Sequence, residues 1–134
     1  MVTLKELNNY YWFLLSIFQN KFQTLDTRDG INSRGRFGLA LTTLGDLNLD
    51  GYGDFAVGAP YDGPNNKGAV YIYYGSANGP LEKHSQVIYA EDVTGTQGLS
   101  TFGFSISGGI DLDGNMYPDL VVGAYEASKA IVFK

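Results

Sequence analysis

An all-β fold is predicted from two observations, the composition and an internal repeat. Glycine is abundant at 18 residues, beside ten tyrosines and eight phenylalanines. Short β-prone runs broken by glycine favour strands over a helix bundle. One block also occurs twice: RFGLALTTLGDLNLDGYGDFAVGAPY begins at Arg36 and TFGFSISGGIDLDGNMYPDLVVGAYE at Thr101. Phe37–Gly38 matches Phe102–Gly103, Asp46 matches Asp111, Asp54 matches Asp119 and Gly58–Ala59 matches Gly123–Ala124, each pair 65 positions apart. One register held over such a length marks a repeated structural unit.

The 134 residues suit one domain, divided here into 1–20 and 21–134. The first part stands outside the repeat. Its apolar run YYWFLLSIF, Tyr10–Phe18, is too short for a membrane span of about 20 residues. Lys5 upstream would suit a signal peptide, but Glu6 and the lack of a small-residue cleavage pattern in QNKFQT speak against one. The expectation is an amphipathic or buried terminal segment, helical or irregular in form.

The first repeat, 36–91, reads as four antiparallel strands: FGLALTTL (37–44), FAVGA (55–59), GAVYIYYG (68–75) and HSQVIYAE (84–91). The turn-like SANGPLEK precedes the last of them. The second repeat, 100–134, offers three: FGFSISGG (102–109), LVVGA (120–124) and KAIVFK (129–134). Pairing Ala69 with Ala130, 61 positions apart, makes the loop before the last of these four residues shorter than in the first repeat. Tyr71, Tyr73 and Tyr74 are expected to pack between units or to cover an edge.

Composition excludes several function classes. The formal charge of −5 argues against nucleic acid as a partner, which needs a basic face. There is no cysteine, so disulfides, zinc–thiolate sites and thiol catalysis are ruled out. The single histidine, His84, lies in a polar turn and reads as a solvated surface residue. No nucleophile–base constellation is visible, and no enzymatic role is predicted. Paired carboxylates could serve glycoside hydrolysis, but an identical spacing in two copies argues for ligation instead.

That spacing is the sharpest functional signal. Counting each loop from its first aspartate, positions 1, 3, 5 and 9 are Asp46, Asn48, Asp50 and Asp54 in one copy, and Asp111, Asp113, Asn115 and Asp119 in the other. Each set has three carboxylates and one amide, with the amide exchanged between positions 3 and 5. Hard oxygen donors without nitrogen or sulfur suit Ca²⁺. Position 7, Tyr52 or Tyr117, would add a backbone carbonyl, giving about six oxygens. The opening resembles an EF-hand loop, but Val57 and Val122 stand where its closing glutamate would be, and the flanks are strand-like. The two loops hold six of the 14 acidic residues, so two bound Ca²⁺ would take the formal charge from −5 to −1. Position 6 is Gly51 in the first loop but Met116 in the second, so strain is expected in the second.

Phe37–Gly38, the Asp46–Asp54 loop and Gly58–Ala59–Pro60 together resemble the FG-GAP repeat. The second copy departs from it at Gly123–Ala124–Tyr125. The chain resembles the β-propeller of integrin alpha subunits over about 21–134, most closely its last two blades, the sixth and seventh of seven. The resemblance implies about two four-stranded antiparallel blades of an incomplete ring, the second without its outer strand, and two structural Ca²⁺ sites. It implies an integrin beta subunit as partner in a heterodimer on the extracellular side of the plasma membrane. Adhesion to matrix or cell-surface ligands and the attendant signalling would follow, with ligand contacts in earlier blades. A secreted FG-GAP protein outside the integrins, such as the propeller of a lipid-anchor phospholipase, is the alternative.

Overall fold

The computed structural model describes residues 27–95 and 98–134. The segment 1–20 expected to stand apart lies outside the described residues. Four strands, β1 (Ala40–Gly45), β2 (Asp54–Ala59), β3 (Ala69–Tyr73) and β4 (Gln86–Tyr89), form one antiparallel sheet in sequence order. Three more, β5 (Phe102–Ile110), β6 (Asp119–Ala124) and β7 (Lys129–Phe133), form a second antiparallel sheet. Each successive pair is a meander connection, as short turn-bounded strands favour. No α-helix occurs among the described residues.

Two sequence-based expectations are corrected. The first strand starts at Ala40, not at Phe37. The Gly38 amide turns to the Gly58 carbonyl at 3.1 Å, and Gly38 has a φ of 89°, so the Phe-Gly pair leads into the strand rather than joining it. The counterpart of Ala69 is Lys129, not Ala130. Ala59 pairs with Ala69 and Ala124 with Lys129, which leaves nine residues between the partners in the first sheet and four in the second. That connection is therefore five residues shorter, not four. A one-residue slip would reverse every side chain of β7. The observed register instead turns Ile131 and Phe133 towards the first sheet, where both pack on the buried cluster between the sheets.

Alternation along the strands builds two apolar layers. Ala56, Val70 and Ile72 of the first sheet meet Leu120, Val122 and Ala124 of the second, with Phe102 fully buried among them. On the opposite face of the first sheet lie Val57, Ala59, Tyr71 and Tyr73, with Phe37 and Phe55 against them. The phenylalanine of each repeat plays an equivalent part. Phe37 packs edge-on to Tyr73 with ring centroids 6.5 Å apart, and Phe102 packs edge-on to Phe133, the register counterpart of Tyr73, at 6.1 Å. Thus Tyr71 and Tyr73 fill the layer on the face of the first sheet away from the second, not the one between the repeats, and Tyr74 packs at the rim of the layer between the sheets. His84 is exposed, as expected, but its ring also lies edge-on to Tyr71 at 5.3 Å.

The sheets join through backbone. The Phe102 amide donates to the Lys67 carbonyl at 3.0 Å, and Gly68 forms a parallel bridge with Phe102. A Cβ at Gly68 would lie 2.2 Å from the Phe102 carbonyl oxygen, and one at Gly58 would lie 2.1 Å from that of Gly103. Only a residue without a side chain admits such an approach. The Phe-Gly of the second repeat is therefore seated on the Gly-Ala of the first.

Candidate metal centre

The acidic loops are the β1–β2 and β5–β6 hairpin connections, both at the same end of their sheets. Each comes after an irregularity in its ladder, between Thr43 and Gly45 in one and between Gly108 and Ile110 in the other. Such bulges bend a strand and re-aim the residues after them.

Inside the loops the same hydrogen bonds recur at the same positions. At position 1, Asp46 Oδ1 accepts from the Asp50 amide at 2.9 Å and Oδ2 from the Gly51 amide at 2.7 Å. Asp111 does the same with Asn115 and Met116, at 3.1 and 2.8 Å. At position 3, Asn48 Oδ1 accepts from the Asp50 amide and Asp113 Oδ1 from the Asn115 amide, both at 3.2 Å. At position 5, Asp50 Oδ1 and Asn115 Oδ1 accept from the Tyr52 and Tyr117 amides at 2.9 and 2.8 Å. At position 9, Asp54 Oδ2 and Asp119 Oδ2 accept from the Leu47 and Leu112 amides at 2.8 and 2.6 Å. Asp and Asn exchange freely at positions 3 and 5 because the bonded atom is a side-chain oxygen in either residue.

Backbone strain is also shared, which corrects the expectation that it belongs to the second loop. Positions 4 and 6 both have positive φ: Leu49 at 59° and Gly51 at 90° in the first loop, Gly114 at 79° and Met116 at 74° in the second. Each loop puts glycine at one of the two positions and a strained side-chain residue at the other, in opposite order. A non-glycine residue there costs about 1–2 kcal/mol.

The loops differ in charge placement. In the second, one carboxylate oxygen each from Asp111, Asp113 and Asp119 lies within 4.8 Å of the others. In the first, position 3 is the neutral Asn48, whose Nδ2 donates to Asp50 Oδ2 at 2.8 Å. Asp54 and Asp119 are both buried, at 2% exposure. Asp54 Oδ1 accepts from the Gly75 amide at 2.8 Å, whereas Asp119 Oδ1 is buried without a hydrogen-bond partner among the described residues. The Met116 amide above all, with those of Gly114 and Asn115, holds the Asp111 carboxyl below the ordinary carboxylate range. Asp111 is therefore ionised at neutral pH.

This donor set fits a hard divalent cation. It offers oxygen only, three carboxylates converge, and one buried carboxylate oxygen is unpaired. Tyr52 and Tyr117 are half-exposed at 42% and 48%, and their amides are already committed within the loop, which leaves their carbonyls as the groups the spacing nominated. Sequence reasoning missed two participants. Gly75 reaches Asp54 from beyond β3, and Lys134 Nζ lies 3.6 Å from Asp113 Oδ2. Both contacts depend on which strand lies beside the loop, and spacing along the chain carries no signal of that.

Meander sheets with an oxygen-rich loop between their first two strands, the second docked on the first by its own Phe-Gly, define β-propeller blades of the FG-GAP kind. Residues 37–73 match the family model described as FG-GAP repeat. The repeats of this chain are similar to those of integrin alpha subunits. The chain is 60% identical to integrin alpha-PS2 of Drosophila melanogaster over 117 residues, which is 87% of the chain and 8% of that protein. It is 50% identical to integrin alpha-IIb of Mus musculus over 105 residues, 78% of the chain and 10% of that protein. To integrin alpha-7 of Homo sapiens it is 51% identical over 98 residues, 73% of the chain and 8% of that protein. The chain thus spans about a tenth or less of the length of these relatives.

Proposed function

We propose that this chain is a Ca²⁺-stabilised β-propeller segment of an integrin alpha subunit, with 21–134 as its propeller part. Its repeats, 36–91 and 100–134, would be the last two blades of the ring. In this reading the whole receptor pairs with an integrin beta subunit on the extracellular side of the plasma membrane. It would act in adhesion to matrix or cell-surface ligands, and in the signalling coupled to it, through blades other than these. The reading is supported by identity to integrin alpha subunits over most of the chain, and it disfavours the secreted phospholipase-like alternative.

The cation part rests on one observation: two loops of different sequence hold the same side-chain oxygens by the same hydrogen bonds. One Ca²⁺ would be held by Asp46, Asn48, Asp50, Asp54 and the Tyr52 carbonyl. The other would be held by Asp111, Asp113, Asn115, Asp119 and the Tyr117 carbonyl. The role is structural. Each loop has little apolar burial and carries three carboxylates, whose charge a divalent ion would offset. Binding only the folded state would stabilise it by about 2.7 kcal/mol per site at a hundred times Kd.

Calorimetric Ca²⁺ titration of the chain, with Asp46→Ala and Asp111→Ala, tests this. Two sites are expected, each lost with its own aspartate. No heat of binding at millimolar Ca²⁺ would remove the metal assignment while leaving the family untouched.

A further inference from the structure

We infer that Lys134 is a built-in competitor for the cation at the second loop and weakens metal binding there. The inference rests on the metal reading above and concerns only the second site. Lys134 comes directly after β7, and its ammonium lies 3.6 Å from Asp113 Oδ2. Asp113 is one of the three carboxylates that converge. A cation entering among Asp111, Asp113 and Asp119 meets a positive charge already paired with one of its ligands. It must displace that charge or share the carboxylate with it.

Among the described residues the first loop shows no such ion pair. Tyr73 pairs with Phe55 and Phe133 with Leu120, so the register counterpart of Lys134 is Tyr74. Tyr74 carries no charge, and its hydroxyl accepts from Gln86 Nε2 at 2.5 Å. The two loops have equal numbers of carboxylates, and among the described residues only the second has an ammonium paired with one of them.

The size of the effect is set by the exposure of the pair. The lysine side chain is 61% exposed, and an exposed ion pair changes an equilibrium by roughly two- to five-fold. Its influence should shrink as salt rises, because the Debye length falls from about 8 Å at 0.15 M to about 3 Å at 1 M.

The test is a Ca²⁺ titration of the whole chain monitored by amide NMR. The Gly51 and Tyr52 amides report the first loop, and those of Met116 and Tyr117 the second. Lys134→Gln should tighten the second loop by about two- to five-fold at low salt and leave the first unchanged. Lys134→Arg keeps the charge and should stay near the parent. Lys129→Gln removes the same net charge from the other end of β7, roughly 16 Å away, and should not tighten the second loop. Unchanged affinity in Lys134→Gln, or equal tightening in Lys129→Gln, overturns the inference while the metal sites stand. Absence of Ca²⁺ shifts at both loops overturns the metal reading and the inference with it.

Discussion

Replacing Gly58 by alanine should break the junction between the two repeats. The added Cβ would lie 2.1 Å from the Gly103 carbonyl oxygen, 3.1 Å from its carbon and 3.2 Å from Ala40 Cβ. The nearest of these atoms is backbone, so no side chain can swing away. Gly58 has no positive φ, which isolates the steric term from conformational strain. Overpacking of this kind costs about 1–3 kcal/mol. Alanine regains up to about 1 kcal/mol by restricting the unfolded chain. A 2.1 Å clash with backbone belongs to the upper part of that range, about 2–3 kcal/mol, so the net loss is about 1–2 kcal/mol, a drop in Tm of roughly 5–15 °C for a domain near 100 residues. Gly53→Ala is the matched control, since nothing lies within 4 Å of its added Cβ and its φ is not positive. It should shift stability by less than about 0.5 kcal/mol. Both variants would be compared with the parent by thermal unfolding monitored by circular dichroism. Equal Tm values for the two variants would refute the close approach of the repeats at Gly58.

Two further outcomes concern the loops. Gly51→Ala should cost about 1 kcal/mol in urea unfolding although nothing lies within 4 Å of the new Cβ, because a φ of 90° strains any side-chain residue; a neutral effect would mean the loop relaxes its backbone. The Asp111 carboxyl, held down chiefly by the Met116 amide, has a folded pKa below its unfolded one. Its contribution to stability is therefore complete above the ordinary value of 3.8 and is lost as pH falls through the depressed folded pKa. Carbon-detected NMR titration of the Asp111 carboxyl should place its midpoint below 3.8, and a midpoint at or above that value would contradict the hydrogen-bond cradle.

The loops are legible in the sequence because they are local. Positions 1, 3, 5 and 9 fall within nine residues, and the hydrogen bonds that shape each loop run between residues two to seven positions apart. Sequence spacing carries such information almost intact. The strands are legible for a similar reason, since β-prone runs and glycine-bounded turns are short-range signals. Their ends are less so. Phe37 reads as the start of a strand, yet the Gly38 amide bonds to the Gly58 carbonyl twenty residues away.

What the sequence by itself determined is a twice-used hairpin with an oxygen-lined loop, because both the repeat and the ligand spacing lie along the chain. Tertiary structure alone decided which faces meet. It paired Ala124 with Lys129, so that Phe133 turned inward and Lys134 came beside Asp113. It also seated Phe102 in the layer between the sheets, with Gly68 and Gly58 flush against the backbone of Phe102 and Gly103. A strand's faces invert with a one-residue slip, and only the packing of one sheet against the other selects the register.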